Sequence, residues 1–222
     1  NVANGKWALY ANTTGYNNVA NGVGALKNNS SGNQNAAHGY NALYNNSSGY
    51  QNVANGSSAM YYNTTGWNNA ANGASALFYN STGVDNAANG ARAMYYNTTG
   101  ANNAAHGANA LLANTTGSYN AAFGYEADVA TGNLINATAI GSRAMVGDSN
   151  CLVLGSISGV NGATESVNVG IGTTTPKTRL HIVGGSDASY TATSGYLVTG
   201  DVASSNIVMD DNEIMARNNG AA

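Results

Sequence analysis

The chain has 222 residues, carries 8% charged residues and a formal net charge of −3 at pH 7, and is dominated by Asn, Ala and Gly. It contains no long basic run for binding nucleic acid and no apolar run of the roughly 18 residues that span a membrane, so we expect neither partner for this segment. Such a composition favours a chain ordered by backbone hydrogen bonds around small side chains, rather than a charged disordered chain.

Residues 1–127 repeat a unit of 17 residues. The pattern reads N-x-A-x-G-x-x-A-[LM]-x-x-N-[ST]-[ST]-G-x-x, with seven complete copies and an eighth that loses the pattern after Ala127. No insertion interrupts the period. This regularity indicates that each unit stacks on the next and cannot change its length alone.

The unit predicts one coil of a parallel β-roll, or β-solenoid, within an all-β fold. Seventeen residues are too few for a helical hairpin repeat of ~33 residues, and the two Gly and several Asn disfavour helix. We predict a turn at N-[ST]-[ST]-G, where Gly supplies a positive φ, and a second corner at Asn-Gly pairs such as Asn4-Gly5. Between these corners we predict a strand at A-[LM]-x-x, for example at 8–11.

The apolar core of such a coil is thin, with one Ala and one Ala–Leu or Ala–Met pair in each unit. At ~25 cal/mol per Å² of buried apolar surface, it would hardly offset the entropy lost on ordering the coil. We therefore predict a homotrimer whose copies share apolar faces. At ~4.8 Å per coil, eight coils would make a rod about 40 Å long.

The spacing changes after the last unit: Gly124 and Gly141 are still 17 residues apart, but Gly141 and Gly155 lie 14 residues apart. The segments 139–141 (Ala-Ile-Gly) and 153–155 (Val-Leu-Gly) resemble the [AV]-[IL]-G core of the 14-residue repeat in the heads of trimeric autotransporter adhesins (YadA-like heads). The resemblance implies a left-handed parallel β-roll with three chains in each rod. The 17-residue units look like a longer variant, in which Asn or His replaces the Ile before Gly.

The sequence Asn-Val-Gly-Ile-Gly-Thr-Thr-Thr-Pro at 168–176, followed by Leu-His-Ile-Val at 180–183, resembles a segment of bacterial and bacteriophage tail-fibre-like proteins. In those proteins it joins a repetitive shaft or head to a carboxy-terminal assembly region. The resemblance implies a short β-rich end. We predict three regions: 1–131, a β-roll of 17-residue repeats; 132–166, head-type coils of 14 residues; and 167–222, a neck or tail-fibre-like β region.

No pattern in the sequence predicts an enzyme. The segment 155–159 places Ile157 where a G-x-S-x-G nucleophile motif has Ser. The Gly-Ile-Gly at 170–172 lacks the third Gly of a dinucleotide-binding fingerprint. We expect no catalytic residue, no cofactor and no metal site.

His38 and His106 occupy the same position of the repeat, four coils apart. At ~4.8 Å per coil they are roughly 19 Å from each other and cannot share a metal within one chain. In a trimer, each His would meet its two symmetry mates if this position faces the axis, and three His side chains can bind a metal or an anion. Asn fills the same position in five other units, which favours an axial polar ladder.

Aromatic residues occur at two places in the repeat, and their rings and polar tips suit contacts between proteins or with glycans. For those that follow the Leu or Met, packing between chains is the favoured interpretation. Those that follow the turn Gly are the candidates for surface recognition. The first set is Tyr10, Tyr44, Tyr61, Tyr62, Tyr79, Tyr95 and Tyr96, and the second is Tyr16, Tyr50 and Trp67.

Together these features predict a structural extracellular fibre or adhesin segment on a cell surface, a virion or a secreted filament. A stiff trimeric rod would present repeated surface residues for multivalent attachment or filament formation, so that avidity replaces affinity. The expected partners are two further copies, other rods end to end, and a host surface protein or glycan. The alternative is an ice- or carbohydrate-binding solenoid that uses the Thr/Ser ladder of the turns or the aromatic ladder.

Overall fold

The structure is a computed structural model and describes residues 1–183, 197–200, 205–209 and 214–218. The described residues are all-β, with no helix, and form a parallel β-solenoid with coils of about 17 residues, which confirms the predicted fold class. Two compact units are present, Asn1–Ser166 and Val167–Ala222. The division of the first unit at residue 131 stays a prediction, and 184–196, part of the predicted neck, lies outside the described residues.

The first unit is a solenoid of about nine turns. Its long sheet has ten parallel strands in the order β1 to β8, then β10 and β12, and a second sheet pairs β9 with β11. The strands are β1 (Val2–Asn4), β2 (Val19–Asn21), β3 (Ala36–His38), β4 (Val53–Asn55), β5 (Ala70–Asn72), β6 (Ala87–Asn89), β7 (Ala104–His106), β8 (Ala121–Phe123), β9 (Asp128–Val129), β10 (Thr138–Ile140), β11 (Met145–Val146) and β12 (Leu152–Leu154). Each strand pairs with the equivalent residues of the next coil, as in Ala3 with Ala20, so the sequence period becomes the register of the sheet.

The second unit contains two small sheets among its described residues. Strands β13 (Val169–Ile171) and β14 (Leu180–Ile182) pair in parallel. Strands β15 (Leu197–Gly200), β16 (Ser205–Met209) and β17 (Ile214–Asn218) form an antiparallel sheet. This unit therefore contains antiparallel pairing, which the described strands of the first unit do not use.

The predicted strand at A-[LM]-x-x is wrong for the first seven coils, where the strand lies instead on the three residues before the first Gly. The predicted segment forms tight turns, in which Ala8 N–H donates to the Gly5 carbonyl at 3.2 Å and Asn12 N–H to the Leu9 carbonyl at 3.2 Å. The Leu or Met of each coil adopts a left-handed backbone, with φ of +50° at Leu26 for example. This conformation costs about 1–2 kcal/mol, which burial of the Leu26 side chain at 0% exposure offsets.

The predicted role of the turn Gly is also wrong. The Gly of N-[ST]-[ST]-G, such as Gly66, does not have a positive φ. The left-handed residue is Asn68, two positions later, with φ of +60°. A Cβ on Gly66 would overlap the Gly83 carbonyl oxygen of the next coil and the Asn63 side-chain oxygen of its own turn. Gly is needed here because the coils approach closely, not because the backbone is left-handed.

The core contains amides as well as the predicted apolar side chains. Ala37, Ala42 and Leu43 of the third coil are fully buried, and so are its two repeat Asn side chains, Asn46 at 0% and Asn35 at 1% exposure. Each Asn continues a ladder through the solenoid and is fully hydrogen-bonded. Buried amides with satisfied partners add order to a core that its apolar residues alone would leave thin.

One rung of a ladder illustrates the bonding. Asn46 Nδ2 donates to Asn29 Oδ1 at 2.7 Å in the preceding coil and to the Gly49 carbonyl at 2.9 Å in its own turn. In turn, Asn46 Oδ1 accepts a bond of 2.7 Å from Asn63 Nδ2 in the following coil. The repeat Asn therefore holds its own turn and both neighbouring coils.

Candidate functional site

Outward-facing aromatic side chains form a continuous surface across four successive coils. They belong to the two positions after the buried Leu or Met, where the turn directs consecutive side chains away from the core. Backbone bonds between coils, such as Tyr62 N–H to the Phe78 carbonyl at 2.9 Å, keep equivalent positions in line. We call this surface the aromatic strip, and its members are Tyr44, Tyr61, Tyr62, Phe78, Tyr79, Tyr95 and Tyr96.

The strip has two rows of stacked rings. In the inner row, the ring centroids of Tyr44 and Tyr61 are 4.9 Å apart, those of Tyr61 and Phe78 5.3 Å, and those of Phe78 and Tyr95 5.0 Å. In the outer row, Tyr79 lies 5.3 Å from Tyr62 and 5.9 Å from Tyr96. Interplanar angles within the rows stay at or below 15°. Each ring is thus partly covered by its neighbours along the rod.

The two rows meet edge to face, which gives the strip a herringbone arrangement. Tyr61 and Tyr62 have centroids 4.7 Å apart and planes at 69°, and Tyr79 and Tyr95 lie 5.3 Å apart at 89°. Offset-stacked and edge-to-face contacts are the preferred aromatic geometries, each contributing about 0.5–1.5 kcal/mol. Because every ring except that of Tyr44 has at least two such contacts, the strip is a rigid surface.

The outer row is the more accessible one, with Tyr62 43%, Tyr79 39% and Tyr96 44% exposed. In the inner row, burial together with the neighbouring tyrosines raises the pKa of Tyr61 and of Tyr95 above the ordinary value of 10.0. These phenols therefore remain protonated at neutral pH, and each is able both to donate and to accept a hydrogen bond.

Cationic side chains lie over aromatic rings of the strip. Lys27, one coil before Tyr44, donates from Nζ to the Tyr44 hydroxyl at 2.8 Å and lies 5.1 Å from the ring centroid. The Arg92 guanidinium lies 5.1 Å from the Tyr95 centroid. Lys27 also contacts Trp7, at 5.0 Å from its centroid. Such cation–π contacts orient a cation without neutralising it.

The strip cations have no carboxylate partner in the part of the chain that the structure describes. The salt bridge found there joins Arg143 Nε to Glu126 Oε2 at 3.0 Å, in the eighth and ninth coils. The strip is therefore a mixed aromatic and positively charged face.

The predicted recognition residues after the turn Gly are only partly brought together. Tyr50 and Trp67 stack with centroids 5.6 Å apart and planes at 4°. Tyr16 is 57% exposed but is separated from Tyr50 by the coil that carries Asn33. Their role in surface recognition stays a prediction. The sequence had shown aromatic residues at the strip positions, but not that their rings interlock.

The predicted polar ladder lies on the outer face of the long sheet. His38 Nδ1 is 3.0 Å from Asn21 Nδ2 and His106 Nδ1 is 3.3 Å from Asn89 Nδ2, while the His106 ring stacks on Phe123 at 5.1 Å. The axial position of the two His residues stays a prediction. Among the described residues, no group of three or more His, Cys, Asp or Glu side chains is placed to hold a metal ion.

The outer face of the long sheet becomes apolar towards its carboxy-terminal end. Phe123, Ile140 and Leu154 are in register on β8, β10 and β12 and are 42%, 40% and 48% exposed. Asn or His occupies the same position in the first seven coils. Ala139, beside Ile140, is buried. The Ile and Leu of the 14-residue pattern thus face outward, and the preceding small residue faces inward.

The hydroxyl pairs of the turns are divided between structure and surface. The first hydroxyl donates to a backbone carbonyl of the next coil, as from Thr64 Oγ1 to the Ser81 carbonyl at 2.9 Å and from Thr98 Oγ1 to the Thr115 carbonyl at 3.0 Å. The second residue of the pair, such as Thr65 or Thr99, is exposed. One row of hydroxyls is therefore available to solvent.

Comparison with known proteins gave no match to a protein-family model, a curated protein or a solved structure. Within the described residues, no helix is long and apolar enough to cross a membrane. The chain is a β-solenoid repeat protein, and its likeness to YadA-like heads and tail-fibre-like proteins remains an expectation from the sequence.

Proposed function

We propose that this chain is a structural segment of an extracellular fibre or adhesin, a stiff rod in which three copies associate and present repeated side chains for multivalent attachment. The observation that carries the proposal is the unbroken coil-to-coil register of the first unit. Ten strands pair in one parallel sheet. From β1 to β8, each residue pairs with the residue 17 positions later. Regular stacking of this kind is typical of proteins that act as scaffolds or extended binding surfaces.

Stiffness follows from the number of separate connections between successive coils. Besides the sheet, three backbone N–H groups of one turn, at Thr64, Thr65 and Gly66, converge on the Ser81 carbonyl at 2.9, 3.1 and 3.3 Å. The Asn ladders and the aromatic rows add connections elsewhere around the coil. Bending the rod would open several of these at once, so the unit favours a straight rod.

Association of copies is assigned to the outer face of the long sheet. Exposed apolar rows on a soluble protein mark interaction surfaces, and Phe123, Ile140 and Leu154 form such a row on adjacent strands. Towards the amino end the same face carries short side chains and the Asn/His ladder. If this face lies at the axis of a trimer, His38 and His106 also lie near that axis.

The test is the native mass in solution, measured by light scattering after size exclusion. Three times the chain mass of 22.4 kDa is the expected result. The double substitution Ile140→Asn and Leu154→Asn, which copies the residue of the longer coils, should lower the mass to that of a single chain while the circular dichroism spectrum stays that of a β protein. Ile135→Asn, at an equally exposed position outside the row, is the matched control. A wild-type monomer would refute the trimer.

The exposed row of turn hydroxyls supports ice binding as a second candidate function. In the fourth to seventh coils this row is Thr throughout, at Thr65, Thr82, Thr99 and Thr116. Thermal hysteresis that is abolished by Thr82→Val and Thr99→Val would favour this function. A wild-type solution that shows no thermal hysteresis would exclude ice binding.

A further inference from the structure

We propose that the aromatic strip binds a linear acidic polysaccharide, a chain of pyranose sugars bearing carboxylates, which lies along the rod. The inference rests on the proposed function, because it names the ligand class for the attachment surface of that rod. Three features of the strip support this ligand: the spacing of its rings, its hydrogen-bonding groups and the charged side chains around it.

The form of the strip suits a linear chain. Its outer row places one tyrosine on each of three successive coils, at centroid spacings of 5.3 and 5.9 Å. That repeat is close to the length of one sugar in an extended polysaccharide, so successive sugars would meet successive rings. Because the rings partly cover one another, the strip offers ring edges and hydroxyls along a ridge rather than one open ring face for a small ligand.

The chemistry of the strip matches the two kinds of surface on a sugar. The exposed parts of Tyr62, Tyr79 and Tyr96 can pack against the C–H groups of pyranose rings, while their phenol hydroxyls exchange hydrogen bonds with sugar hydroxyls. The herringbone contacts hold these rings in place before binding. A rigid surface loses little side-chain entropy when a ligand binds.

The charges favour an acidic ligand. Residues 1–125 carry four charged side chains, namely Lys6, Lys27, Asp85 and Arg92. Lys27 and Arg92 lie over the first and last rings of the inner row, four coils apart, or roughly 19 Å at ~4.8 Å per coil. The Asp85 carboxylate instead accepts a bond of 2.8 Å from Asn68 Nδ2, in the row beyond the turn Gly. A carboxylated chain of several sugars would reach both cations.

The same charges disfavour a second copy of this chain as the occupant of the strip. Two strips packed in parallel would bring each cation against its own counterpart, and in antiparallel packing they would bring Lys27 towards Arg92. Like charges brought together at an interface oppose association. An acidic glycan places its charges opposite these cations instead.

The experiment is calorimetric titration of the full chain with two six-sugar probes, at low and at moderate salt. One probe is the carboxylated hyaluronan hexasaccharide, and the other is the neutral chitohexaose. We expect hyaluronan hexasaccharide to bind at least tenfold more tightly than chitohexaose, and salt to weaken only the former. Lys27→Gln with Arg92→Gln should reduce the preference to less than threefold without changing the fold. Tyr62→Ala, Tyr79→Ala and Tyr96→Ala combined should abolish binding of both sugars.

Tyr119→Ala is the control for the tyrosine variant, since Tyr119 is 62% exposed and lies outside the strip. It should leave binding unchanged. Absence of hyaluronan binding, equal affinity for the two sugars, or binding that survives the triple variant would each overturn the inference. A triple variant that loses native mass instead would assign the strip to contacts between copies. These outcomes are distinct from failure of the rod proposal, which is judged by native mass and the Ile140 and Leu154 variants.

Discussion

The first seven coils and the two that follow use the same strand position but differ in the rest of the coil. In the earlier coils, a left-handed Leu or Met is buried and the segment after it is a turn; in the later ones, Asp128 and Met145 begin a second short strand, β9 or β11. The two rows of buried repeat Asn end at Asn114 and Asn120, and Ala137 occupies the position one coil after Asn120. Similar sequence periods therefore produce coils stabilised in different ways.

The difference between the regions shows where each one can make contacts. The longer coils satisfy their buried amides internally and carry Val or Ala and Asn or His on their outer sheet face. The shorter coils expose Ile140 and Leu154 on that face, which is why we assign the association of copies to them. The following substitutions test this contrast between internal ladders and outer surfaces.

The largest effect is expected from Asn63→Ala, in a buried ladder. Asn63 Nδ2 donates to Asn46 Oδ1 at 2.7 Å, and Asn63 Oδ1 accepts from Asn80 Nδ2 at 2.8 Å. Loss of these bonds leaves buried amide groups unpaired, at a cost of about 3 kcal/mol or more in the free energy of unfolding. Urea denaturation measures the change. Asn55→Ala is the control, because its similar bond of 2.8 Å to Asn72 is exposed and should contribute below about 1 kcal/mol.

A second substitution tests the close approach of coils at the turn Gly. Gly66→Ala places a methyl group against the Gly83 carbonyl of the next coil and against Asn63, and such overpacking should cost about 2–3 kcal/mol. Gly147→Ala, in the shorter coils, meets no atom within 4 Å. The two denaturation midpoints should therefore diverge, and equal midpoints would mean that the coils do not pack as described.

The junction between the two regions should respond to pH. Asp128 occupies the position of the core Leu or Met, and burial raises its pKa to about 6, although its carboxylate accepts bonds from the backbone N–H groups of Val129 and Ala113. The folded state therefore holds this proton more tightly than the unfolded chain, whose ordinary pKa is 3.8. Stability from this group is fully present below pH 3.8 and is lost as the pH rises through about 6.

The expected loss across that interval is about 2–3 kcal/mol, since one pKa unit corresponds to roughly 1.4 kcal/mol. Unfolding free energies of the wild type and of Asp128→Asn should be compared from pH 4 to pH 7. Their difference should change between pH 4 and about 6 and level off towards pH 7. A constant difference would show that the carboxyl group titrates alike in folded and unfolded chains.

The smallest effect is expected at the salt bridge between Arg143 and Glu126. Both side chains are partly exposed, at 35% and 29%, so Glu126→Gln should cost no more than about 1 kcal/mol, and less at high salt. Thermal unfolding at low and high salt measures this change. A loss as large as that of Asn63→Ala would contradict the ranking of buried ladders above surface charges.

Much of the solenoid could be predicted from the period alone. Strict recurrence of Gly and Asn indicates stacked β coils, and the invariant Ala and Leu or Met positions are indeed buried from the second coil onward. The strand was misplaced because a left-handed Leu is unusual, and only its burial against neighbouring coils makes it stable. The turn Gly was misinterpreted because a close approach between coils is a tertiary property that local turn rules do not contain.

The Asn ladders were not predicted because Asn before Ser or Thr indicates a turn, and it does form one here. That the same side chain also faces the core depends on stacking. For the candidate site, the aromatic positions were visible in the sequence, but their interlocked rows depend on coil-to-coil register. The interruption at Asn33, which separates Tyr16 from Tyr50, was already visible in the repeat.

Hydrogen exchange at Asn side chains, followed by NMR, measures whether buried amide ladders join the coils of the rod. The side-chain amide protons of the buried Asn46, Asn63 and Asn80 should exchange as slowly as core backbone amides. Those of the exposed Asn55 and Asn72 should exchange within the dead time of the measurement. Rapid exchange at all five side chains would show that the Asn ladders are not buried, because amides that water reaches freely cannot form the core of the rod.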